Sequence, residues 1–229
     1  MKSKLHIKPV QEGIRRPLRP AVFFDLDGTI ITTKSGERFP KDERDWKLID
    51  GVRELMLKLC KDETAIIVVT NQGGIEQGFS TKAKFQKKVK DIVNALDLPI
   101  ELNVYYSPTT DKEDIYRKPH AGMFHLAALE LSLYLPNSVY IGDASGKFEI
   151  PRERMLTSEE LEGVKYITTK ARQEPLAVLS ETEQSYVVQG WSDSDVGASI
   201  ESGIKNYQDI DQILHQFSQK SDDKKKVVS

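Results

Sequence analysis

The chain has 229 residues, 38% hydrophobic and 30% charged, which suits one α/β domain whose core is large enough to fold without disulfides. Its 33 basic and 35 acidic residues leave a net charge of −2, excluding both a global basic field for nucleic acid and the acidic excess of a disordered chain. The single cysteine, Cys60, excludes an internal disulfide and a cysteine zinc cluster and points to a reducing intracellular compartment, while no apolar run is long enough to span a membrane.

Residues 1–19 read as an N-terminal arm without the apolar core of a secretory signal. The remainder of the domain, 20–217, begins with the apolar run Ala21 to Phe24, which ends in Asp25-Leu26-Asp27-Gly28-Thr29. Gly28 permits a sharp turn that leaves both carboxylates at a strand end. Val52, Leu55, Met56 and Leu59 fall at helical spacing, with Cys60 on the apolar side, and the β-branched run Ala65 to Val69 predicts a strand buried on both faces. That strand ends in Thr70-Asn71-Gln72-Gly73-Gly74.

Phe85, Val89, Ile92, Val93 and Leu96 predict a helix whose other faces carry Lys82, Lys84, Lys87, Lys88 and Lys90. A strand is expected around Leu102 to Tyr106. The Arg117-Lys118-Pro119 turn leads to a helix through Met123, Leu126, Ala127 and Leu131, then to a strand Val139 to Gly142 with Asp143 at its end. Beyond residue 150 the pattern weakens. Val164 to Thr168 and Tyr186 to Val188 read as short strands in an excursion over about 150–190, Ser192 to Gly197 as a turn, and Ile204 to Phe217 includes an amphipathic helix. The tail 218–229, rich in charge, is expected to be disordered.

Alternating strands and helices predict a Rossmann-like parallel sheet covered on both faces. Such sheets bind ligands outside the carboxyl ends of their strands, so Asp25, Asp27, Thr70 and Asp143 converge on one crevice. Two aspartates one residue apart suit metal-assisted phosphoryl transfer, one attacking and the other managing the proton. Magnesium takes oxygen ligands and keeps waters, and Asp25, a backbone carbonyl near Asp27 and Asp143 can hold it. An isolated Asp-x-Asp would be an ordinary solvated turn.

The run Asp25-Leu26-Asp27-Gly28-Thr29 after an apolar strand resembles the nucleophile motif of the haloacid dehalogenase superfamily. Thr70 after Ile66-Ile67-Val68-Val69 resembles that family's phosphate-binding residue, Lys118 its charge-neutralising lysine, and Asp143 in Tyr140-Ile141-Gly142-Asp143 its metal-binding acid. The run Ile30 to Pro40 with Asp45-Trp46, then Asn71 to Ile75, Arg117 to Met123 and Gly142 to Lys147, is similar to the DNA 3′-phosphatase domain of polynucleotide kinase/phosphatase, well over about 20–148 and weakly near 191–214.

The resemblance implies a haloacid dehalogenase-like fold with minimal or no cap, since no large helical insertion separates Thr29 from Thr70. It implies Asp25 as nucleophile, Asp27 as acid and base, and Thr70 and Lys118 on the phosphoryl group. It also implies Mg2+ at Asp25, Asp27, Asp143 and a last acid, DNA 3′-phosphate ends as substrate, and a role in end processing or repair. Thr29, Thr33, Asn71 and Arg117 fall around the substrate. Lys84 and Lys88 are candidates for a phosphodiester backbone, against the ordinary reading of a solvated helix face.

The last acid departs from the family pattern: Asp195, in Gly190-Trp191-Ser192-Asp193-Ser194-Asp195, is assigned, with Asp193 and Glu149 as rivals. The alternatives are a small-molecule phosphatase of the histidinol-phosphate or heptose-bisphosphate type, whose zinc loop of cysteines this chain lacks, and an end-binding module without catalysis, which would need no nucleophile. Gly142 to Phe148 imitates a phosphate loop but is one residue short, so no kinase site is read. His6, His120, His125 and His215 lack zinc spacing. A monomer is expected.

Overall fold

The structure is a computed structural model and describes residues 18–37, 40–62, 64–144, 147–151, 178–181, 185–189 and 194–217. Strand β1 (Ala21–Phe24) is buried at all four positions because it has parallel neighbours on both edges, β4 (Ala65–Asn71) and β6 (Val139–Gly142). A strand with helices on both faces must be apolar at successive positions, and the runs Ala-Val-Phe-Phe and Ile-Ile-Val-Val meet that demand. With β5 (Asn103–Ser107) and β10 (Asn206–Asp209) they form a five-stranded parallel sheet in the order β10-β6-β1-β4-β5.

Strand alternation divides the core. Val22, Phe24, Ile66, Val68 and Ile141 pack on one face against α1 (Val52–Lys61), α2 (Lys82–Leu96) and a helix, α5, over 210–217. Ala21, Phe23, Ile67, Val69 and Tyr140 pack on the other against α3 (Gly122–Leu131) and α4 (Ser194–Ser202). The expected Rossmann-like parallel sheet with helices on both faces is therefore present. Between Thr29 and Thr70 the described residues add α1 and the two-stranded ribbon of β2 (Ile31–Thr32) and β3 (Lys47–Leu48), and among them there is no large helical insertion.

Two features differ from expectation. Strand β10, Asn-Tyr-Gln-Asp, shows no apolar alternation, yet it pairs in parallel with β6 and forms the sheet edge. The stretch expected as a turn at Ser192 to Gly197 becomes α4 from Ser194, because Ser and Asp favour a helix N-terminus as readily as a turn.

After Ala144 the excursion contributes β7 (Lys147–Pro151), β8 (Val178–Glu181) and β9 (Ser185–Gln189), an antiparallel sheet in the order β7-β9-β8. The expected strand Tyr186 to Val188 lies within β9. Val164 to Thr168, Asp193, the arm up to residue 17 and the tail from 218 lie outside the described residues.

Candidate active site

The carboxyl ends of β1, β4 and β6 are adjacent in the sheet, so the residues that follow them face one crevice. Asp25 follows β1, Thr70 is the last residue but one of β4, and Asp143 follows β6. Gly28 makes the turn after Asp25 with φ +86, and a side chain there would collide with the Asp143 carboxylate. Gly142 has the same role toward Asp195, whose carboxylate occupies the space of a Cβ.

Lys118 is the buried centre. Its ammonium donates to Asp25 Oδ1 at 2.6 Å, Asp195 Oδ1 at 2.6 Å and the Tyr140 hydroxyl at 2.8 Å. Tyr140 OH in turn donates to Asp195 Oδ1 at 2.7 Å, and the backbone N–H of Ala144 donates to Asp195 Oδ2 at 3.0 Å. Asp195 is 0% exposed, at the first turn of α4, and the Asp195 N–H returns a bond to the Ala144 carbonyl at 3.3 Å. Ala144 and Asp195, on either side of the excursion, thus meet beside the crevice.

Burial raises the Asp25 carboxyl well above its ordinary range, with the Asp195 and Asp143 charges adding to the effect and Lys118 opposing it. Asp143 is pushed up to about 7 by burial and then by Asp195. Burial works against charge on Asp195 too, but Lys118, Tyr140 and the Ala144 N–H outweigh it and hold its carboxyl low. On Lys118, desolvation is overcome by Asp195 and Asp25, and the ammonium is held above its usual range.

Asp25, Asp143 and Asp195 each present an oxygen within 4.8 Å of the others. Three carboxylates against one ammonium leave two negative charges in a buried space, which a divalent cation of the oxygen-preferring kind balances. The donor set fits magnesium, which these three carboxylates would hold. The Asp27 side chain is not among them.

Asp27 points to α2 instead. Lys88 Nζ lies 3.0 Å from Asp27 Oδ1 and Gln72 Nε2 donates to Asp27 Oδ2 at 2.6 Å. Lys88 was expected with Lys84 on a solvated face tracking a phosphodiester; it is 8% exposed, on the buried stripe Phe85, Lys88, Ile92, Leu96 of α2. The signal in the sequence is its register, three residues after Phe85 and four before Ile92. Lys84 is exposed and pairs with Glu43 at 2.8 Å.

Gln72 also donates to Thr70 Oγ1 at 2.9 Å, and Thr70 is buried. Asn71, expected on the substrate, is engaged by the backbone of Lys118: Asn71 Nδ2 donates to the Lys118 carbonyl and Lys118 N–H to Asn71 Oδ1, both at 2.9 Å. Arg117 Nη1 donates to the Thr109 carbonyl at 2.7 Å, on the rim. Thr29 is buried, its hydroxyl 3.4 Å from Asp143 Oδ1.

Thr33 bonds the Glu37 carbonyl in the loop after β2. That loop is fastened by Asp45, which accepts from Ser35 N–H at 2.8 Å, Ser35 Oγ at 2.6 Å and Lys41 N–H at 2.9 Å, and whose carboxyl the Ser35 hydroxyl and the Lys41 N–H lower to about 2. Glu149 lies on β7, and its side chain lies outside the described residues. Sequence reasoning left out Gln72 and Tyr140. Tyr140 carries the detectable signal, a polar tip inside a run too short to leave it solvated.

A family model described as polynucleotide kinase 3 phosphatase matches residues 20–221. The bifunctional polynucleotide phosphatase/kinase of Schizosaccharomyces pombe is 37% identical over 159 residues, covering 68% of this chain and 38% of that protein, so the chain spans well under half the length of that relative. The D-glycero-beta-D-manno-heptose-1,7-bisphosphate 7-phosphatase of Escherichia coli O6:H1 is 34% identical over 134 residues, covering 54% of this chain and 69% of that protein. Among solved structures, D,D-heptose 1,7-bisphosphate phosphatase from B. bronchiseptica, complexed with magnesium and phosphate, is 21% identical with a TM-score of 0.49 and covers 55% of this chain and 71% of that one.

Proposed function

Because the chain belongs to the polynucleotide kinase 3 phosphatase family, within the haloacid dehalogenase superfamily of phosphatases, we propose that it removes the terminal phosphate from DNA 3′ ends with magnesium as cofactor, in the processing or repair of those ends. The observation that carries the reading is the Asp25, Lys118, Asp143, Asp195 cluster with Asp27 at its edge, in a chain that matches the family over 20–221.

Asp25 attacks the phosphorus in line. A bond forms from an Asp25 carboxylate oxygen to phosphorus, the bond from phosphorus to the 3′-oxygen breaks, and Asp27 gives its proton to the departing oxygen. Water then attacks the aspartyl-phosphate; Asp27 takes the water's proton, inorganic phosphate leaves, and both aspartates return to their starting states. Lys118 and the Thr70 hydroxyl hold the equatorial oxygens, where charge builds up in the transition state. Asp25, Asp143 and Asp195 would hold magnesium, which when bound would supply positive charge against the phosphoryl oxygens.

The family match over 20–221 and the fastened loop 33–45 favour a polynucleotide end over a sugar phosphate, for which the similarity spans 134 residues. The test compares magnesium-dependent phosphate release from a 3′-phosphorylated oligonucleotide, its 5′-phosphorylated isomer, histidinol phosphate and heptose bisphosphate. The reading expects kcat/KM for the 3′-phosphorylated oligonucleotide to exceed the others by at least roughly 100-fold, a discrimination of about 2.7 kcal/mol. Equal or faster release from either small molecule overturns it.

A further inference from the structure

A lysine in the apolar stripe of a helix calls for a reason. Lys88 sits between Phe85 and Ile92 on the buried side of α2, 8% exposed, and its ammonium is 3.0 Å from Asp27 Oδ1. Fold stability is a poor reason. A pair whose carboxylate is half in solvent adds little net stability once the lysine's desolvation is counted, and Phe85, Ile92 and Leu96 already anchor the helix.

The partner supplies a better one. The Asp27 side chain is 46% exposed, and a carboxylate so placed samples several rotamers unless something holds it. Two groups do so, from two different elements. Lys88 of α2 takes Oδ1, and Gln72, in the turn after β4, takes Oδ2 at 2.6 Å. Gln72 also donates to Thr70 Oγ1 at 2.9 Å, so the hold on Asp27 continues to the hydroxyl assigned above to the phosphoryl group. Each carboxylate oxygen keeps a second lone-pair direction, which is where the transferred proton sits.

We infer that Lys88 and Gln72 are positioning residues that together fix the carboxylate plane of Asp27 for proton transfer to and from the reacting oxygens. The inference rests on the reading of Asp27 as acid and base given above. Neither residue touches substrate in this role; both act through Asp27.

The test uses the leaving group. An alkyl 3′-oxygen needs a proton as its bond to phosphorus breaks, whereas 4-nitrophenolate departs without one. The full chain is assayed as wild type, Lys88→Met, Lys88→Arg, Gln72→Met and Asp27→Asn. Measured are the burst of leaving-group release in the first turnover, KM for a 3′-phosphorylated oligonucleotide, and the melting temperature. Lys88→Met is expected to slow the oligonucleotide burst roughly 10 to 100-fold, the range for a misplaced acid–base group, with KM within about twofold of wild type. Its loss on 4-nitrophenyl phosphate should be at least about tenfold smaller. Gln72→Met should follow the same pattern, and Lys88→Arg should recover part of the loss.

Equal losses on both substrates, or a KM raised in step with the charge removed, would overturn the inference and make Lys88 a packing or substrate-binding residue. So would an unchanged oligonucleotide burst in both Lys88→Met and Gln72→Met at an unaltered melting temperature. If Asp27→Asn itself loses as much on the aryl as on the alkyl substrate, the acid–base reading of Asp27 fails first and takes the inference with it.

Discussion

Asp195 joins two halves of the chain at the level of single bonds. It lies 52 positions after Asp143, yet its carboxylate meets Lys118, Tyr140 and the Ala144 N–H, and one of its oxygens is within 4.8 Å of Asp25 and Asp143. Asp195→Asn keeps the shape and removes one charge. Since losing one of the metal's own carboxylates costs no less than losing a group that merely orients them, it is expected to raise the magnesium concentration for half-maximal rate by at least roughly 10 to 100-fold, read from rates over a magnesium titration. Glu149→Gln, on β7, should leave that concentration within about twofold; the reverse pattern would move the last acid to β7. Asp25 and Asp143 are legible in the sequence because each stands in a short motif directly after an apolar strand, and Lys118 because it stands in the Arg117-Lys118-Pro119 turn that opens onto α3. Asp195 is legible only as one of three competing acids, since sequence distance says nothing about where a long excursion returns. Lys88 is misread when sorted by charge and is recovered when sorted by register.

At the scale of elements, β4 and the turn before α3 are joined by one side chain. Asn71 ends β4 and makes both of its amide bonds to the Lys118 backbone, so the strand end sets the position from which the lysine reaches Asp25. Asn71→Ala leaves a buried backbone N–H and carbonyl without these partners, a cost of about 1 to 3 kcal/mol in stability. Because the Lys118 ammonium is then less well placed, kcat should fall roughly tenfold or more while Asn71→Asp, which keeps one acceptor for the Lys118 N–H, recovers part of it. Denaturant unfolding and steady-state rates check the two effects separately. The same scale explains what the sequence conceals about the fold. Strands β1, β4 and β6 announce themselves because central parallel strands are apolar throughout. Edge strand β10 pairs through its backbone along one side only, so its polar residues carry no such pattern.

For the whole molecule, the buried acidic cluster couples stability to pH and to metal. Asp143 holds its proton up to about 7 when folded, against an ordinary value of 3.8, and Asp25 is raised as well. A raised carboxylate stabilises the fold below its ordinary value, and that contribution is lost as pH rises through the folded value, here between about 4 and 7. Asp195, lowered, works in the opposite sense below its ordinary value, and Lys118, raised, loses its contribution only at strongly alkaline pH. With magnesium removed by a chelator, the melting temperature should therefore fall from pH 5 to pH 8. Magnesium at about 100 times its dissociation constant adds roughly 2.7 kcal/mol, or about 5 to 10 °C for a domain of this size. The magnesium-induced rise should be larger at pH 8 than at pH 5, where protons compete at Asp143. Equal rises at both pH values would separate the metal from Asp143.

The central claim, that a 3′-terminal phosphate passes through Asp25, is tested most directly by trapping the intermediate. Enzyme mixed with a 3′-phosphorylated oligonucleotide and magnesium is quenched within the first turnover and reduced with borohydride, which converts an aspartyl-phosphate to homoserine, and its peptides are sequenced by mass spectrometry. Homoserine is expected at position 25 with the 3′-phosphorylated oligonucleotide and not with its 5′-phosphorylated isomer. Phosphate release from the 3′ end without modification at Asp25, or modification at Asp25 by the 5′ isomer to the same extent, would contradict the account.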